Sequence, residues 1–214
     1  MRTSWNQLPS EDKNPAVFSA SYFPCTAYMT ILSEFDSATV EGMEHFVKQT
    51  HRNRTYILSA NGILPLTVPV TRESREKIPM CEVHICHKTP WQRNHIRAIR
   101  SAYGKSPYFD YYFPEIENIL TTRHELLIDL CIETIQFLIL KLGLKTVIAK
   151  NEVFNPRIEK DYRQEFSKQD MFSKYGMKKY FQCFGEKFGF QPNPSALDLL
   201  FNMGPEARDY LRFE

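Results

Sequence analysis

Small and apolar residues fill positions 16 to 23, AVFSASYF, and predict a first β-strand. Pro24 stops this run. The next segment, CTAYMTILSEF, repeats apolar residues at helical spacing, namely Ala27, Ile31 and Phe35. A strand is therefore expected to pass into a helix within a few residues.

Further strand patterns follow this helix. A second strand with its turn is predicted over SATVEGMEHFV, a third over TYILS, and a fourth over ILPLTVPV, residues 63 to 70. Asn61 and Gly62 lie between the last two strands, and this dipeptide is a strong signal for a tight hairpin. The first third of the chain thus predicts a β-α-β unit followed by a β-hairpin.

The centre of the chain is mostly helical in pattern. A charged loop is predicted over residues 71 to 80, and a short strand over CEVHI, residues 81 to 85. The segment WQRNHIRAIRSAYG predicts a helix that ends at Gly104. Two longer amphipathic helices are expected over 114 to 124 and over 125 to 144.

The last part of the chain has weaker signals. A β-branched strand is predicted over KTVIAK, residues 145 to 150, and a loop with a short helix over 155 to 183. A final helix is predicted over SALDLLFNMG, where Ser195 caps the start, Asp198 completes a capping box and Gly204 closes the end.

Alternating strands and helices favour an α/β fold. We therefore expect a single layered domain over residues 16 to 214, with a mixed or mostly parallel central sheet flanked by helices, after a polar leader over residues 1 to 15. A chain of 214 residues is long enough to bury a substantial core without covalent staples.

Composition points to an intracellular protein. The start of the chain has no apolar signal region, and polar residues interrupt the longest apolar stretch, residues 126 to 144. The five cysteines are scattered, as is typical of reduced thiols. We expect a cytoplasmic protein without a membrane span. The net charge of only +2 weighs against a chain built to coat nucleic acid.

Positive charge is nevertheless concentrated in KQTHRNR, residues 48 to 54. If this segment is a strand, Arg52 and Arg54 project from one face, with His51 and Asn53 on the other. Two guanidinium groups on one face form a wall for a carboxylate or phosphate. The alternative is that the arginines pair with internal carboxylates or lie in solvent.

A second basic cluster occupies residues 84 to 105. On a helix, Arg93, Arg97 and Arg100 form one positive face, while Trp91 and His95 follow another. An anionic partner relieves the repulsion between stacked arginines, although a solvated face is the alternative. His95 is either a half-buried structural histidine or a base.

Metal and nucleophile signals are poor. Strand alternation separates His84 and Cys86 from Cys81 and His87, and no second pair completes a tetrahedral zinc set. The sequence also contains no nucleophile elbow, phosphate loop or dinucleotide fingerprint. We therefore predict no metal and no cofactor. A strand that ends before a helix, as in SASYFPCTAY, is still a common place for phosphate ligands.

Four sequence blocks together resemble the WbqC-like family. They are YFPCTAY, KQTHRNRTYILSANGILPLTVPV, WQRNHIRAIRSAYGKSPYFDYY and GFQPNPSALDLLFNMGPEARDYL, in this order and spacing. The resemblance covers nearly all of residues 18 to 211. It implies a role in the biosynthesis of O-antigen or other surface polysaccharides, with transfer of a glycyl or other aminoacyl group onto an amino sugar suggested for some members.

The resemblance also implies functional positions. The matched residues are Tyr22, Pro24, Lys48, Gln49, Arg52, Asn53, Arg54, Trp91, His95, Tyr103, Asn193, Ser195 and Asp198. Two positions depart from the family pattern: His51 stands where an aromatic residue is usual, and Ala20-Ser21 replace a Gln-Pro pair. His51 is therefore not assigned as a base.

The first functional hypothesis is a transferase that forms an amide on an amino sugar. This reaction needs a base and oxyanion donors, for which His95 is the first candidate base and Lys48 and Asn53 are the candidate donors. The candidate substrate-binding residues are Tyr22, Gln49, Arg52, Arg54, Trp91, Arg93, Arg97, Tyr103 and Asp198. The expected partner is an anionic small molecule such as a nucleotide-activated sugar or an acyl donor.

Two alternatives remain open at this point. One is a module that binds an anion or sugar nucleotide without chemistry, which the absence of a recognised nucleophile or metal motif favours. The other is nucleic-acid binding through the basic residues 84 to 105, against which the small net charge weighs.

Overall fold

The computed structural model describes residues 15–71, 77–166 and 175–213. The predicted leader lies outside these ranges except for Pro15, as does half of the charged loop predicted over 71 to 80. The strands are β1 (Ala16–Ser19), β2 (Ser37–Glu41), β3 (Arg54–Ser59), β4 (Gly62–Thr67), β5 (Val147–Lys150) and β6 (Asp161–Tyr162). The α-helices are α1 (Thr26–Leu32), α2 (Trp91–Tyr103), α3 (Phe109–Thr121), α4 (Leu127–Lys141), α5 (Gly185–Phe188) and α6 (Ala196–Met203). Two 3₁₀ helices cover Met80–Glu82 and Gly204–Tyr210.

Four strands form a parallel sheet in the order β5-β2-β1-β6. Ala16 pairs with Ala38 and Val17 with Asp161, so β1 lies between β2 and β6. Every residue of β1 and β2 is buried, as expected for the centre of a parallel sheet. This confirms the predicted α/β fold with a mostly parallel sheet.

Strands β3 and β4 form a separate antiparallel hairpin. Its register runs from Arg54 opposite Thr67 to Ser59 opposite Gly62. Gly62 has a φ of 95°, which L-residues with side chains rarely adopt, so the glycine is required at this turn. The predicted β-α-β unit and the hairpin after it are confirmed.

The helices cover the sheet and the hairpin. Helix α6 packs against α1, α3, α4 and β3, and α2 packs against α3 and β3. All seven residues of α1 are buried, so this helix lies within the core rather than on its surface. Of the helices that the structure describes, none combines the length and the apolar character needed to cross a bilayer.

Several local predictions are wrong. The strand expected over 81 to 85 is instead a 3₁₀ helix followed by single bridge residues. Helix α3 begins at Phe109 rather than at Pro114, because Phe109, Tyr112 and Phe113 are buried in the core. Strand β6 lies where a loop with a short helix was expected.

The cap of the last helix differs in part from its prediction. The Ser195 hydroxyl accepts from the Leu197 N–H, as a cap does, and Gly204 ends the helix with a φ of 55°. The capping box is wrong, because the Ser195 N–H donates to the Tyr56 carbonyl instead of to Asp198.

The strand order places a crevice at the carboxyl edge of the sheet. From β1 the chain passes to β2 and then to β5 on one side of the sheet. It then crosses from β5 to β6, which lies on the other side of β1. In open α/β sheets, ligands bind outside the carboxyl ends of the strands where connections diverge in this way. The ends of β2 and β6 are therefore the first place to look for a site.

Candidate ligand-binding cavity

A cavity of about 400 Å³ opens at this carboxyl edge. It is lined by Met43, Glu44, His45, Val47, Arg52, Phe154, Asp161, Arg163 and Gln164. These residues come from the segment after β2, the turn before β3, the segment after β5, and β6 with the residues that follow it. The cavity is thus assembled from four separate stretches of the chain.

Glu44 and Arg52 form a buried ion pair in the cavity wall. Arg52 donates from Nε to Glu44 Oε1 at 2.9 Å and from Nη2 to Oε2 at 2.6 Å. The guanidinium also donates to the Thr50 hydroxyl at 3.4 Å, and the Arg52 carbonyl accepts from the Cys131 thiol at 3.2 Å. The two parallel bonds fix the plane of the carboxylate.

A second ion pair, between Arg163 and Asp161, also lines the cavity. Arg163 donates from Nε to Asp161 Oδ1 at 2.9 Å and from Nη2 to Oδ2 at 2.6 Å. Its Nη1 reaches Glu41 Oε2 at 3.2 Å and the Asn155 carbonyl at 3.0 Å. Glu41 is fully buried and is the last residue of β2. Its bond to Arg163 therefore joins the end of β2 to the residue that follows β6.

The outer wall of the cavity is partly apolar. Phe154 is 45% exposed, and the Arg163 guanidinium carbon lies 4.8 Å from the centroid of its ring. Val47, on the segment after β2, is 51% exposed. A ligand in the cavity therefore meets charged groups and exposed apolar groups together.

The pKa values of two cavity carboxylates, Glu44 and Asp161, shift in opposite directions. Burial raises the pKa of Glu44 above its ordinary value, and the hydrogen bonds and charge of Arg52 oppose that rise. The Arg163 guanidinium lowers the pKa of the more exposed Asp161. Glu44 is thus the carboxylate in this wall that takes up a proton more readily.

The helix that follows β1 has its first donors occupied. The Thr26 N–H donates to the Pro194 carbonyl at 2.9 Å, and the Ala27 N–H donates to Asn193 Oδ1 at 2.7 Å. The phosphate-binding position suggested by SASYFPCTAY is therefore filled by the segment that precedes α6. Asn193 has a φ of 60°, a left-handed conformation that asparagine adopts more readily than most residues.

The predicted base is in the interior and does not line the cavity. His95 Nδ1 lies 2.9 Å from the Tyr22 hydroxyl, and the ring contacts Trp91 with centroids 5.2 Å apart. All three side chains are buried, so the structure brings together three of the predicted residues. Burial lowers the pKa of His95 to about 4, which leaves the ring neutral near pH 7.

The turn before β3 separates its predicted residues. Arg52 faces Glu44, whereas Arg54 is half-buried and donates from Nε to the Thr67 hydroxyl at 2.8 Å. Because β3 begins at Arg54, strand alternation does not extend to Arg52, and the two guanidinium groups do not form one wall. Asn53 is buried and donates to the Val68 carbonyl at 3.0 Å.

His51 is buried beside these arginines. Burial, followed by the charges of Arg54 and Arg52, lowers its pKa to about 4. Its carbonyl accepts from the Tyr22 N–H at 2.9 Å, which ties this turn to the end of β1. His51 thus has a structural place in the interior.

Tyr103 and Asp198 belong to another part of the interior. The Tyr103 hydroxyl accepts from the Leu58 N–H at 3.1 Å. Asp198 Oδ1 accepts from the Tyr180 hydroxyl at 2.8 Å and from Gln182 Nε2 at 3.0 Å. Burial raises the pKa of Asp198 to about 6, against the lowering effect of these hydrogen bonds.

The remaining predicted residues are on the surface. Lys48, Gln49, Arg93 and Arg97 are exposed, and Arg100 forms an exposed salt bridge with Glu117 at 3.1 Å. Lys48 is exposed and follows Val47, a cavity-lining residue, in the sequence. Of all the predicted site residues, Arg52 is in the cavity wall and Lys48 is adjacent in sequence to a wall residue.

Sequence reasoning missed most of the cavity. Glu44 could have been found, because it follows a strand predicted to belong to a parallel sheet, where acidic side chains often meet ligands. Phe154, Asp161 and Arg163 lie in or beside the stretch with weak periodicity, and no pattern singled them out. Within the described ranges, no group of three or more metal-ligating side chains is arranged to hold an ion.

Comparison with known proteins agrees with the resemblance. Residues 20–164 match the WbqC-like protein family. The chain belongs to this family. The match contains every residue that lines the cavity and ends before α6 and Asp198.

A relative is known over nearly the whole chain. The uncharacterized protein Rv1507c of Mycobacterium tuberculosis is 27% identical in an alignment of 231 positions that covers 94% of this chain and 98% of that protein. No solved structure matches.

Proposed function

We propose that this WbqC-like protein is a transferase of bacterial surface-polysaccharide biosynthesis that acylates or aminoacylates an amino sugar, with the acceptor held in the carboxyl-edge cavity. The observation that carries the proposal is a buried carboxylate in that cavity, Glu44, whose plane is fixed by Arg52. The substrate class is the one that the resemblance to the WbqC-like family implies, and the position at the edge of a parallel sheet supports ligand binding.

Glu44 replaces His95 as the base in this proposal. Amide formation joins the amine nitrogen to the carbonyl carbon, breaks the bond between that carbon and its leaving group, and releases one proton from the nitrogen. Glu44 lines the cavity, and burial raises its pKa, so its carboxylate accepts that proton more readily than an exposed one. His95 has Nδ1 bonded to Tyr22 and no contact with the cavity.

The test is product formation by the purified full chain. The protein is incubated with a nucleotide-activated amino sugar and a panel of acyl and aminoacyl donors, and the acylated sugar is detected by mass spectrometry. Glu44→Gln is expected to abolish turnover. It is also expected to weaken sugar binding, because Glu44 offers acceptor positions to the ligand and its loss leaves Arg52 without a counter-charge. Turnover is therefore compared at saturating sugar, with the fold of the variant checked by circular dichroism. Glu117→Gln changes an exposed carboxylate away from the cavity and serves as the matched control.

Two results contradict this proposal. One is that no donor gives product with the unmodified protein. The other is that Glu44→Gln turns over as fast as the Glu117→Gln control.

A binding module without chemistry is the second candidate. The nine described residues that line the cavity include no serine, threonine, cysteine or lysine, which are the usual nucleophiles of acyl transfer. A module of this kind binds the nucleotide sugar with the same dependence on cavity residues but gives no product with any donor. The incubation above therefore separates the two functions.

A further inference from the structure

The cavity wall offers no excess of positive charge. Arg52 is paired with Glu44 and Arg163 with Asp161, and Glu41 adds a further carboxylate behind them. An anion that enters must compete with these carboxylates for guanidinium groups whose charge is already compensated. Phosphate therefore gains little in this cavity.

The start of helix α1, a second place where this type of fold can hold a phosphate, has its N–H donors bonded within the protein. The first N–H groups of α1 point to the Pro194 carbonyl and to Asn193 Oδ1. A phosphate outside β1 cannot use those donors without displacing the segment before α6. Both common ways of holding a phosphate at this edge are thus used within the protein.

The same side chains keep both donors and acceptors for a ligand. Each Glu44 oxygen accepts one bond from Arg52, which uses about half of the roughly four lone-pair positions of the carboxylate. Asp161 accepts three bonds from Arg163 and keeps about one position. The guanidinium groups of Arg52 and Arg163 retain N–H donors beyond those bonded to described residues.

A hydroxyl group matches this mixed set because it donates one hydrogen bond and accepts others. Adjacent hydroxyls on a ring can donate to a carboxylate and accept from a neighbouring guanidinium, whereas a phosphate dianion only accepts. The exposed part of Phe154 provides a flat apolar surface for the carbon–hydrogen face of such a ring.

We infer that the cavity binds a ring with adjacent hydroxyl groups and no anionic substituent inside the cavity, and that any phosphate attached to the ring stays outside, near Lys48. This differs from the expectation of an anion held by Arg52, because Glu44 compensates the charge of that guanidinium. The inference deepens the proposed function and rests on it in placing the substrate in this cavity. Both a pyranose and the ribose of a nucleoside have the required chemistry.

The test compares neutral and anionic probes on the full chain. N-acetylglucosamine, uridine and inorganic phosphate are titrated separately, with binding followed by calorimetry and ligand-detected NMR. Binding of the sugar or of the nucleoside, with phosphate failing to displace it, supports the inference and distinguishes the two ring sources. Asp161→Asn is expected to weaken that binding about tenfold or more, the effect of losing one hydrogen bond to a charged group.

A second variant, Phe154→Ala, keeps the test valid if Asp161→Asn fails to fold. The Phe154 side chain is 45% exposed, so its removal is expected to leave the fold intact. Phe154→Ala is expected to weaken ring binding, whereas Phe181→Ala, which removes an exposed aromatic residue away from the cavity, leaves it unchanged. Lys48→Ala is expected to weaken the binding of a nucleotide sugar but not the binding of the free ring.

The inference is overturned if phosphate displaces the bound ring, if phosphate alone binds, or if neither neutral probe binds up to its solubility limit. It is also overturned if Phe154→Ala and Phe181→Ala bind equally well. Turnover with phosphate in the cavity leaves the proposed function standing without this inference. Ring binding without turnover leaves this inference standing and contradicts the proposed transferase function.

Discussion

The hydroxyl of Tyr22 lies 2.9 Å from Nδ1 of His95, and both side chains are buried. This bond joins the segment after β1 to helix α2. It occupies one of the two ring nitrogens of a buried side chain, which gives a histidine in a basic, aromatic stretch a structural place in this fold. The cavity at the sheet edge has a different carboxylate, Glu44, at its wall.

Tyr22→Phe is expected to destabilise the protein. The change leaves His95 Nδ1 buried without its partner, which costs about 1–3 kcal/mol of the free energy of unfolding. Urea denaturation measures this loss. Tyr111→Phe, at a hydroxyl on a 72% exposed ring, is the control and should stay within about 0.5 kcal/mol of the unmodified protein. Equal stability of the two variants contradicts a structural bond between Tyr22 and His95.

His95→Gln is expected to make the free energy of unfolding less sensitive to acid. The pKa of His95 is about 4 in the folded protein and ordinarily 6.5, so the unfolded chain binds a proton first. The contribution of neutral His95 to stability is present above pH 6.5 and is lost as the pH falls from 6.5 towards 4.

Unfolding curves measured between pH 7 and pH 4 test this expectation. His95→Gln should flatten the fall in the free energy of unfolding by up to roughly 3 kcal/mol, and His51, with a similar shift, accounts for part of the fall that remains. His84→Gln changes an exposed histidine and should follow the unmodified protein. A slope unchanged by His95→Gln contradicts the lowered pKa and means that His95 has an ordinary pKa in the folded protein.

Arg52→Met is expected to lower the free energy of unfolding more than removal of both charges of the Arg52–Glu44 pair does. It leaves Glu44 buried without a counter-charge, which costs about 3–5 kcal/mol, whereas Arg52→Met combined with Glu44→Gln removes that charge as well. A double-mutant cycle by urea denaturation measures the coupling. Arg100→Met breaks the exposed pair with Glu117 and should cost about 0–1 kcal/mol. Equal losses at Arg52 and Arg100 contradict a buried pair.

Asp198→Asn is expected to stabilise the protein at neutral pH. The pKa of Asp198 is raised from 3.8 to about 6, so the folded protein retains a proton that the unfolded chain has released. The cost of ionising this group therefore develops as the pH rises from about 4 to about 6, and it amounts to roughly 3 kcal/mol at most.

The asparagine keeps an acceptor for Tyr180 and Gln182 and carries no charge. The stability difference between Asp198→Asn and the unmodified protein should therefore grow from pH 4 to pH 6 and then stay constant. Asp209→Asn, at an exposed carboxylate, provides the control. A difference that is independent of pH shows that Asp198 has an ordinary pKa in the folded protein.

Gly204→Ala is expected to be strongly destabilising. Gly204 has a φ of 55°, and a Cβ there meets the ring of Tyr108 at 2.5 Å. The clash and the unfavourable backbone together should cost more than about 2 kcal/mol. Gly185→Ala is the control, because its new Cβ comes no closer than 3.8 Å to Gln182. Similar melting temperatures for the two variants contradict the close approach of Tyr108.

Local patterns predicted much of the fold. Ala27 and Ile31 at helical spacing predicted α1, and Asn61-Gly62 predicted the turn between β3 and β4. They failed where burial outweighed a local signal. Pro114 is a good first residue for a helix, yet α3 begins at Phe109, because the aromatic residues before the proline pack into the core.

The site was predicted less well, since charged residues alone do not reveal their partners. Arg52 was predicted as a ligand contact from its neighbours, but Glu44, eight residues earlier, determines what its guanidinium binds. Arg163 lies where no pattern indicated a strand, and β6 forms there only by pairing with β1.

By itself, the sequence determined the family, the α/β class and most helices and strands, because these follow from the spacing of apolar residues, from turn residues and from ordered sequence blocks. Only the tertiary structure decided which charges compensate each other and where the cavity lies. The cavity joins Glu44, Phe154 and Arg163 across more than a hundred residues, and contacts between segments so far apart arise only when the strands pair in parallel. The same pairing leaves His95 inside the core and Glu44 at the edge of the sheet.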